Sequence, residues 1–270
     1  MDWTASAEGP NSQVYAIEVS PDRSKVVIGG SFSSVNGSSN PGYGMALLSA
    51  STGEMLPMPV NDTVRSAGEN AAIFDIAVDT DGFYATAYSF VGRLDEANLE
   101  GAIKADWNGN LIWLEPCHGD TYGIAVTKEM VYTVGHAHSC ETIYGFPNMT
   151  EMRKNGPHPL YARAMAFTNS PDITIRQQGV VDGYQDWSTL GYKSPTIVGW
   201  YPDLEAGKVT GASQAAYKVD VTDKYILMVG EFVEADGKVQ QGIVRYPRRA
   251  GQSTLPPEGK ANYQDRKSVV

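Results

Sequence analysis

All four histidines and both cysteines of this chain fall within residues 117–158: Cys117, His118, His136, His138, Cys140 and His158. Two chemistries suit that composition. A pair of cysteines in an exported type of protein forms a disulfide, and closing the 22 intervening residues stabilises the fold by roughly 3 kcal/mol. Histidines two apart on a strand point to the same side. His136 and His138 could therefore hold a transition metal such as zinc together with His118, Asp120 or a thiolate. The two readings are not exclusive, because a disulfide removes the thiolates and leaves the imidazoles. A plainer role is hydrogen bonding of the histidines to loop backbone.

Other chemistry is sparse. The chain has no G-x-S-x-G elbow, no phosphate-binding P-loop and no H-E-x-x-H helix motif. Carboxylates abound, notably Asp75, Asp79, Asp81, Asp120 and Asp220, and most sit at turns or alternate outward on strands. A glycosidase would need two that converge. Asp79-Thr80-Asp81-Gly82 could bind calcium, but the rest of an EF-hand loop is missing and a hairpin turn is the better reading. The stretch from Gly183 to Tyr201 holds Tyr184, Trp187, Tyr192, Trp200 and Tyr201. Aromatics on a long loop suit sugar stacking or protein contact, and packing over a sheet edge accounts for them equally well.

The elements that would position these groups emerge from an internal repeat. Residues 26–37, VVIGGSFSSVNG, align without a gap on residues 226–237, ILMVGEFVEADG. Gly30 falls on Gly230, Phe32 on Phe232, Asn36 on Asp236 and Gly37 on Gly237. Each copy follows an alternating apolar stretch, 14–19 or 216–221. Two further copies begin near Ile73 and Thr121. With Tyr15, Phe74, Tyr122 and Tyr217 taken as equivalent, the steps are 59, 48 and 95 residues, so one unit in the last gap has lost its pattern or become an insertion. Each unit reads as strand, polar turn, strand, loop, strand, with a fourth strand near 51–56 or 108–113. Four-stranded units of ~40–50 residues are propeller blades.

The expected fold is therefore all-β: a β-propeller of four-stranded antiparallel blades over residues 1–247, forming a partial ring or part of a larger ring. The blades run about 13–56, 73–115, 121–175 and 215–247, with an irregular insertion or degenerate blade at 176–214. In this fold Cys117-His118-Gly119-Asp120 precedes an inner strand, and His136 to Cys140 end its antiparallel neighbour. Both stretches lie at one end of the third blade, so Cys117 and Cys140 can meet. Residues 248–270 read as a linker to a further domain.

The units, and above all Gly29-Gly30-Ser31-Phe32-Ser33-Ser34-Val35-Asn36-Gly37, resemble propeller-type repeats of large actinobacterial exported proteins, in which they stand beside PKD or lectin-like domains. The stretches 117–122, 135–140, 200–204 and 240–246 are similar too. Comparable blades occur in tail proteins of phages that infect such bacteria. The resemblance covers roughly residues 3–247 and implies the fold, with no defined activity attached. The second unit departs from it, having Ala87-Tyr88-Ser89-Phe90 in place of the glycines.

Composition narrows the function. The 270 residues carry a formal net charge of −10, which repels nucleic acid. Arg245, Arg248 and Arg249 form the only basic cluster, as a solvated linker would. No apolar run reaches the ~18 residues of a membrane span, and residues 1–13 lack the features of a signal peptide. The expectation is a non-catalytic extracellular or cell-surface propeller for adhesion, scaffolding or recognition of carbohydrate or protein on a cell surface. The alternatives are a phage tail or receptor-binding component, and a metal-dependent hydrolase built on His118, Asp120, His136 and His138.

Overall fold

Alternation with period 2 gives one apolar face per strand, and four successive hairpins use it to pack against one another. A computed structural model describes residues 3–9, 11–38, 44–89, 97–148, 161–175, 180–181, 184–185 and 189–248. Blade I contains strands Val14–Val19, Lys25–Gly30, Met45–Ser49 and Met55–Leu56. Blade II contains Ala71–Val78, Gly82–Ser89, Ala102–Asp106 and Leu111–Glu115. Blade III contains Thr121–Val126, Met130–Ala137, Ala162–Thr168 and Ile197–Val198. Blade IV shows three strands among the described residues, Ala216–Val221, Tyr225–Gly230 and Ile243–Pro247. Within every blade neighbouring strands are antiparallel and consecutive in space. This is the predicted propeller architecture, and the inner strand of each blade packs on that of the next from I to IV.

The predicted irregular insertion or degenerate blade at 176–214 contains only two-residue strands among the described residues. Ile197–Val198 is the outer strand of blade III, separated from the third strand by an insertion. Leu204–Glu205 pairs instead with Glu234–Ala235 of blade IV. Of the other short stretches, Val180–Val181 pairs with Tyr184–Gln185, and Lys193–Ser194 pairs with Ile173–Thr174. Of the linker at 248–270, only Arg248 lies within the described residues.

The register shows why the repeat has its residues. In each blade the inner strand carries one bulged residue, and these are Tyr15, Phe74, Tyr122 and Tyr217. Opposite the bulge stand Gly30, Gly135 and Gly230. A Cβ at those glycines would lie 1.9, 2.1 and 2.0 Å from the carbonyl oxygens of Gln13, Asp120 and Ala215, so no side chain fits. Blade II tolerates Ala87 at this position because its hairpin continues in ordinary pairing to Tyr88 and Ser89.

The second half of the motif clamps an incoming strand. Asn36-Gly37 and Asp236-Gly237 have positive φ at both residues, the backbone of a type I′ turn. The Ser6 N–H donates to Asn36 Oδ1 at 2.9 Å, and the Asp203 N–H donates to Asp236 Oδ1 at the same distance. Thus Ala7–Glu8 pairs with Ser34–Val35 as Leu204–Glu205 pairs with Glu234–Ala235, each in a small sheet beside its blade.

The blades are also tied by a polar clamp. Asp75 on the inner strand of blade II is buried. Its Oδ2 accepts the Ile124 N–H of blade III at 3.1 Å, and its Oδ1 meets Lys218 Nζ of blade IV. Replacing Asp75 with alanine leaves the Ile124 N–H without its acceptor, whereas the half-exposed Lys218 simply regains water. Asp75→Ala is expected to cost about 2 kcal/mol, and adding Lys218→Ala to be nearly neutral. Urea denaturation of both variants checks this; a loss below about 0.5 kcal/mol for Asp75→Ala would show that the clamp does not stabilise.

Candidate functional site

Cys117 and Cys140 form a disulfide with Cα atoms 4.4 Å apart. Backbone hydrogen bonds reinforce the same junction: His118 N–H to Ser139 O at 2.8 Å and His138 N–H to His118 O at 2.7 Å. The start of the inner strand of blade III and the end of its second strand are thereby held at one end of the axis.

Around that junction the predicted residues divide into two carboxylate–histidine pairs. Glu100 Oε2 lies 3.7 Å from His118 Nδ1 and accepts the Gly119 N–H at 2.7 Å. Asp120 Oδ2 lies 3.9 Å from His136 Nε2. The Tyr122 hydroxyl joins the second pair, donating to Asp120 Oδ2 at 3.0 Å and standing 3.2 Å from His136 Nδ1. His136 and His138 do share a side of their strand, since the edge of Tyr161 packs on both, with centroids 5.2 and 6.3 Å away. Arg163 lies 4.7 Å over the Tyr161 ring and is fixed by Gln214 Oε1 at 2.8 Å and Ser213 O at 3.2 Å.

Environment separates the titrations. Burial would raise Glu100, but His118 and the Gly119 N–H outweigh it and hold the carboxyl below the usual glutamate value. Burial, and then the charge of Glu100, push Asp120 up to about 6. Burial, and then Arg163, push His136 down to about 4. At neutral pH the cluster therefore presents ionised carboxylates, a neutral His136 and a charged Arg163, a set of hydrogen-bond acceptors and donors.

Beside the cluster runs a line of aromatic rings. The four bulged residues meet in sequence, Tyr15 to Phe74 at 5.5 Å, Phe74 to Tyr122 at 5.2 Å and Tyr122 to Tyr217 at 5.7 Å. Tyr88 joins Phe74 at 4.9 Å. Each blade thus contributes one ring to an arc at the axis, and Tyr15 at its end is 40% exposed.

The metal geometry differs from the sequence expectation. His118, Asp120, His136 and His138 do not form one convergent donor set. Among the described residues the trio whose donor atoms lie within 4.8 Å of one another is Glu115, Cys117 and Cys140, and the disulfide occupies both sulfurs. Asp79 forms a hairpin turn, its Oδ1 accepting the Asp81 and Gly82 N–H groups at 2.8 and 2.9 Å.

Of the aromatics in the later stretch, Tyr192 packs against the main core. Trp200 sits edge-on to Tyr132 of blade III at 5.5 Å and to Tyr246 of blade IV at 6.0 Å. Tyr201 sits edge-on to Phe146 at 5.8 Å. Tyr184 lies in a short strand pairing with Val181; its side chain, Trp187 and His158 fall outside the described residues. Sequence reasoning did not name Glu100, Glu115, Tyr161 or Arg163. For Tyr161 and Arg163 a signal existed: their two-residue spacing beside an alternating strand places them on one side. Glu100 stands alone in a loop, and nothing local marks it.

No protein-family model and no curated protein matches the chain. Among solved structures it is similar to the computationally designed Ika4 protein, with 10% identity and a TM-score of 0.44 over 90% of this chain and 96% of that one. It is similar to the Pan2 WD40 domain of Neurospora crassa, with 10% identity and a TM-score of 0.37 over 81% of this chain and 47% of that one. A third similarity is to the computationally designed Ika8 protein, with 11% identity and a TM-score of 0.33 over 89% of this chain and 73% of that one.

Proposed function

We propose that the chain is a non-catalytic binding propeller that recognises carbohydrate at a cell surface through the end of the axis where the bulged aromatics gather. The observation that carries this reading is the arc Tyr15–Phe74–Tyr122–Tyr217 beside Asp120, Glu100, His136 and Arg163. Aromatic faces take the apolar face of a sugar ring, and carboxylates and a guanidinium take its hydroxyls. The disulfide supports an oxidising, extracellular setting. Among the described residues no helix is long and apolar enough to cross a membrane. The similarity of the repeats to blades of exported actinobacterial proteins points the same way.

The test is a screen of immobilised glycans and cell-wall polysaccharide, followed by calorimetry on the best ligand. Tyr15→Ala should weaken binding about 5- to 10-fold, the worth of one aromatic contact, with little change in stability because the ring is partly exposed. Affinity should also fall as the pH drops through about 6, where Asp120 gains a proton, and Asp120→Asn should lose that dependence. Binding that ignores both changes would place the ligand elsewhere on the molecule.

A further inference from the structure

The two ends of the blade series expose the positions that are buried wherever one blade meets the next. The register makes the comparison exact in position. Ile17, Ile76, Ile124 and Val219 occupy equivalent sites on the four inner strands, each following the bulge by two residues. They face the preceding blade. Ile76, Ile124 and Val219 are 4, 4 and 7% exposed, whereas Ile17 is 59% exposed. Val27, Tyr84, Tyr132 and Leu227 are likewise equivalent and face the following blade. The first three are 0, 0 and 5% exposed, and Leu227 is 37% exposed. Val19 beside Ile17, and Val229 and Ile243 beside Leu227, are bare as well.

Trp3 completes the match. The clamp that binds Ser6 to Asn36 and Asp203 to Asp236 makes Trp3 the equivalent of Trp200. Trp200 seals the joint between blades III and IV by packing on Tyr132, whose counterpart in blade IV is Leu227. Trp3 is exposed. Blade I therefore presents Trp3, Ile17 and Val19 as one half of such a joint, the head, and blade IV presents Leu227, Val229 and Ile243 as the other half, the tail.

We propose that a second copy of this chain occupies both ends, tail on head and head on tail, to form a closed ring of two chains. A head-to-tail contact uses two different surfaces and closes only when its rotation returns to the start. Propeller rings hold typically 4–8 blades. Within one chain the first and fourth inner strands do not pack as the other neighbours do. Two copies give eight blades, within that range, and three copies exceed it. Each new joint repeats the contact already made between blades III and IV, and the aromatic arc becomes a ring at the axis.

Sedimentation equilibrium of the full chain over micromolar concentrations tests the proposal, with tryptophan emission on dilution compared between the chain and its Trp3→Phe variant. The expected mass is twice the 29.2 kDa of one chain. Ile17→Asp and Leu227→Asp should each weaken self-association by at least about 30-fold. Mixed together they should form a one-joint heterodimer, because the first retains a sound tail and the second a sound head. Both residues are exposed in the single chain, so circular dichroism should show unchanged folding; the dilution series of the unaltered chain stands independently of either variant. A monomer at all concentrations, including one that instead binds blades of a different protein, would overturn the proposal. So would a dimer that survives both substitutions, or variants that fail to complement each other.

Discussion

Glu115→Gln is expected to remove a loss of stability that the native chain undergoes between about pH 6.5 and 8. Glu115 ends the outer strand of blade II and is fully buried. One carboxyl oxygen accepts the Cys117 N–H at 2.6 Å, and the other has no hydrogen-bond partner among the described residues. Burial pushes the group up to about 8, against the opposing pull of that N–H and of nearby His118. The unfolded chain ionises the same group near 4.5. Between those values the folded protein holds a proton that the unfolded one has released, so stability falls as the pH rises, by at most about 1.4 kcal/mol per pH unit. Two neighbours act in the lower part of the range. Asp120, raised to about 6, adds to the fall between about 4 and 6. His136, lowered to about 4 from 6.5, works in the opposite sense, since there the unfolded chain binds the extra proton. Above pH 6.5 both have finished titrating, which leaves Glu115 the largest of the three contributions. Denaturant unfolding at pH 6.5 and 8.5 should show the native chain losing roughly 2 kcal/mol and the glutamine variant staying flat. Equal losses in the two proteins would mean that Glu115 is ionised in the fold.

The repeat was legible because each of its residues answers to local chemistry. The equivalence of Tyr15, Phe74, Tyr122 and Tyr217 could be read from alternation alone, and the register places all four at the same bulge. Gly30 and Gly230 align because a carbonyl fills the space of a side chain. What alternation cannot express is which residue lies outside its own hairpin. Trp200 follows an irregular stretch and looks like a loop aromatic, yet it fills the joint between two blades. Ala87 looked like damage to the motif, whereas it marks a hairpin that pairs for two residues more. The site was legible where its members neighbour one another in sequence, as in 117–122 and 136–140. It was illegible at Glu100, which approaches His118 only because blades II and III pack. The direction in which His136 and His138 point was correct, but the blade supplies each imidazole cluster with its own surroundings, and that depends on Tyr161 and Arg163 from a third strand.

Removing the Cys117–Cys140 bond should cost about 3 kcal/mol and loosen the binding end before the rest of the molecule. The bond closes a span of 23 residues, and loss of that constraint enlarges the unfolded ensemble by roughly this amount. For a chain of this size the midpoint of thermal unfolding should fall by roughly 10 °C. Alanine at both positions is the suitable replacement, since both sulfurs are buried and a hydroxyl there would lack partners. The native protein treated with a dithiol should approach the same midpoint. The local effect follows from what the bond anchors. His118, Gly119 and Asp120 lie directly after Cys117, and His136 and His138 directly before Cys140, so both carboxylate–histidine pairs depend on the two segments staying together. The hydrogen bonds between His118, His138 and Ser139 remain in the variant, which should preserve the blade while its end opens more often. Hydrogen exchange should therefore quicken at residues 117–120 and 138–140 and stay slow in the strands of blade I, whose joint with blade II is untouched. Exchange that quickened uniformly across all four blades would instead show that the bond stabilises the whole propeller and does not anchor the site in particular.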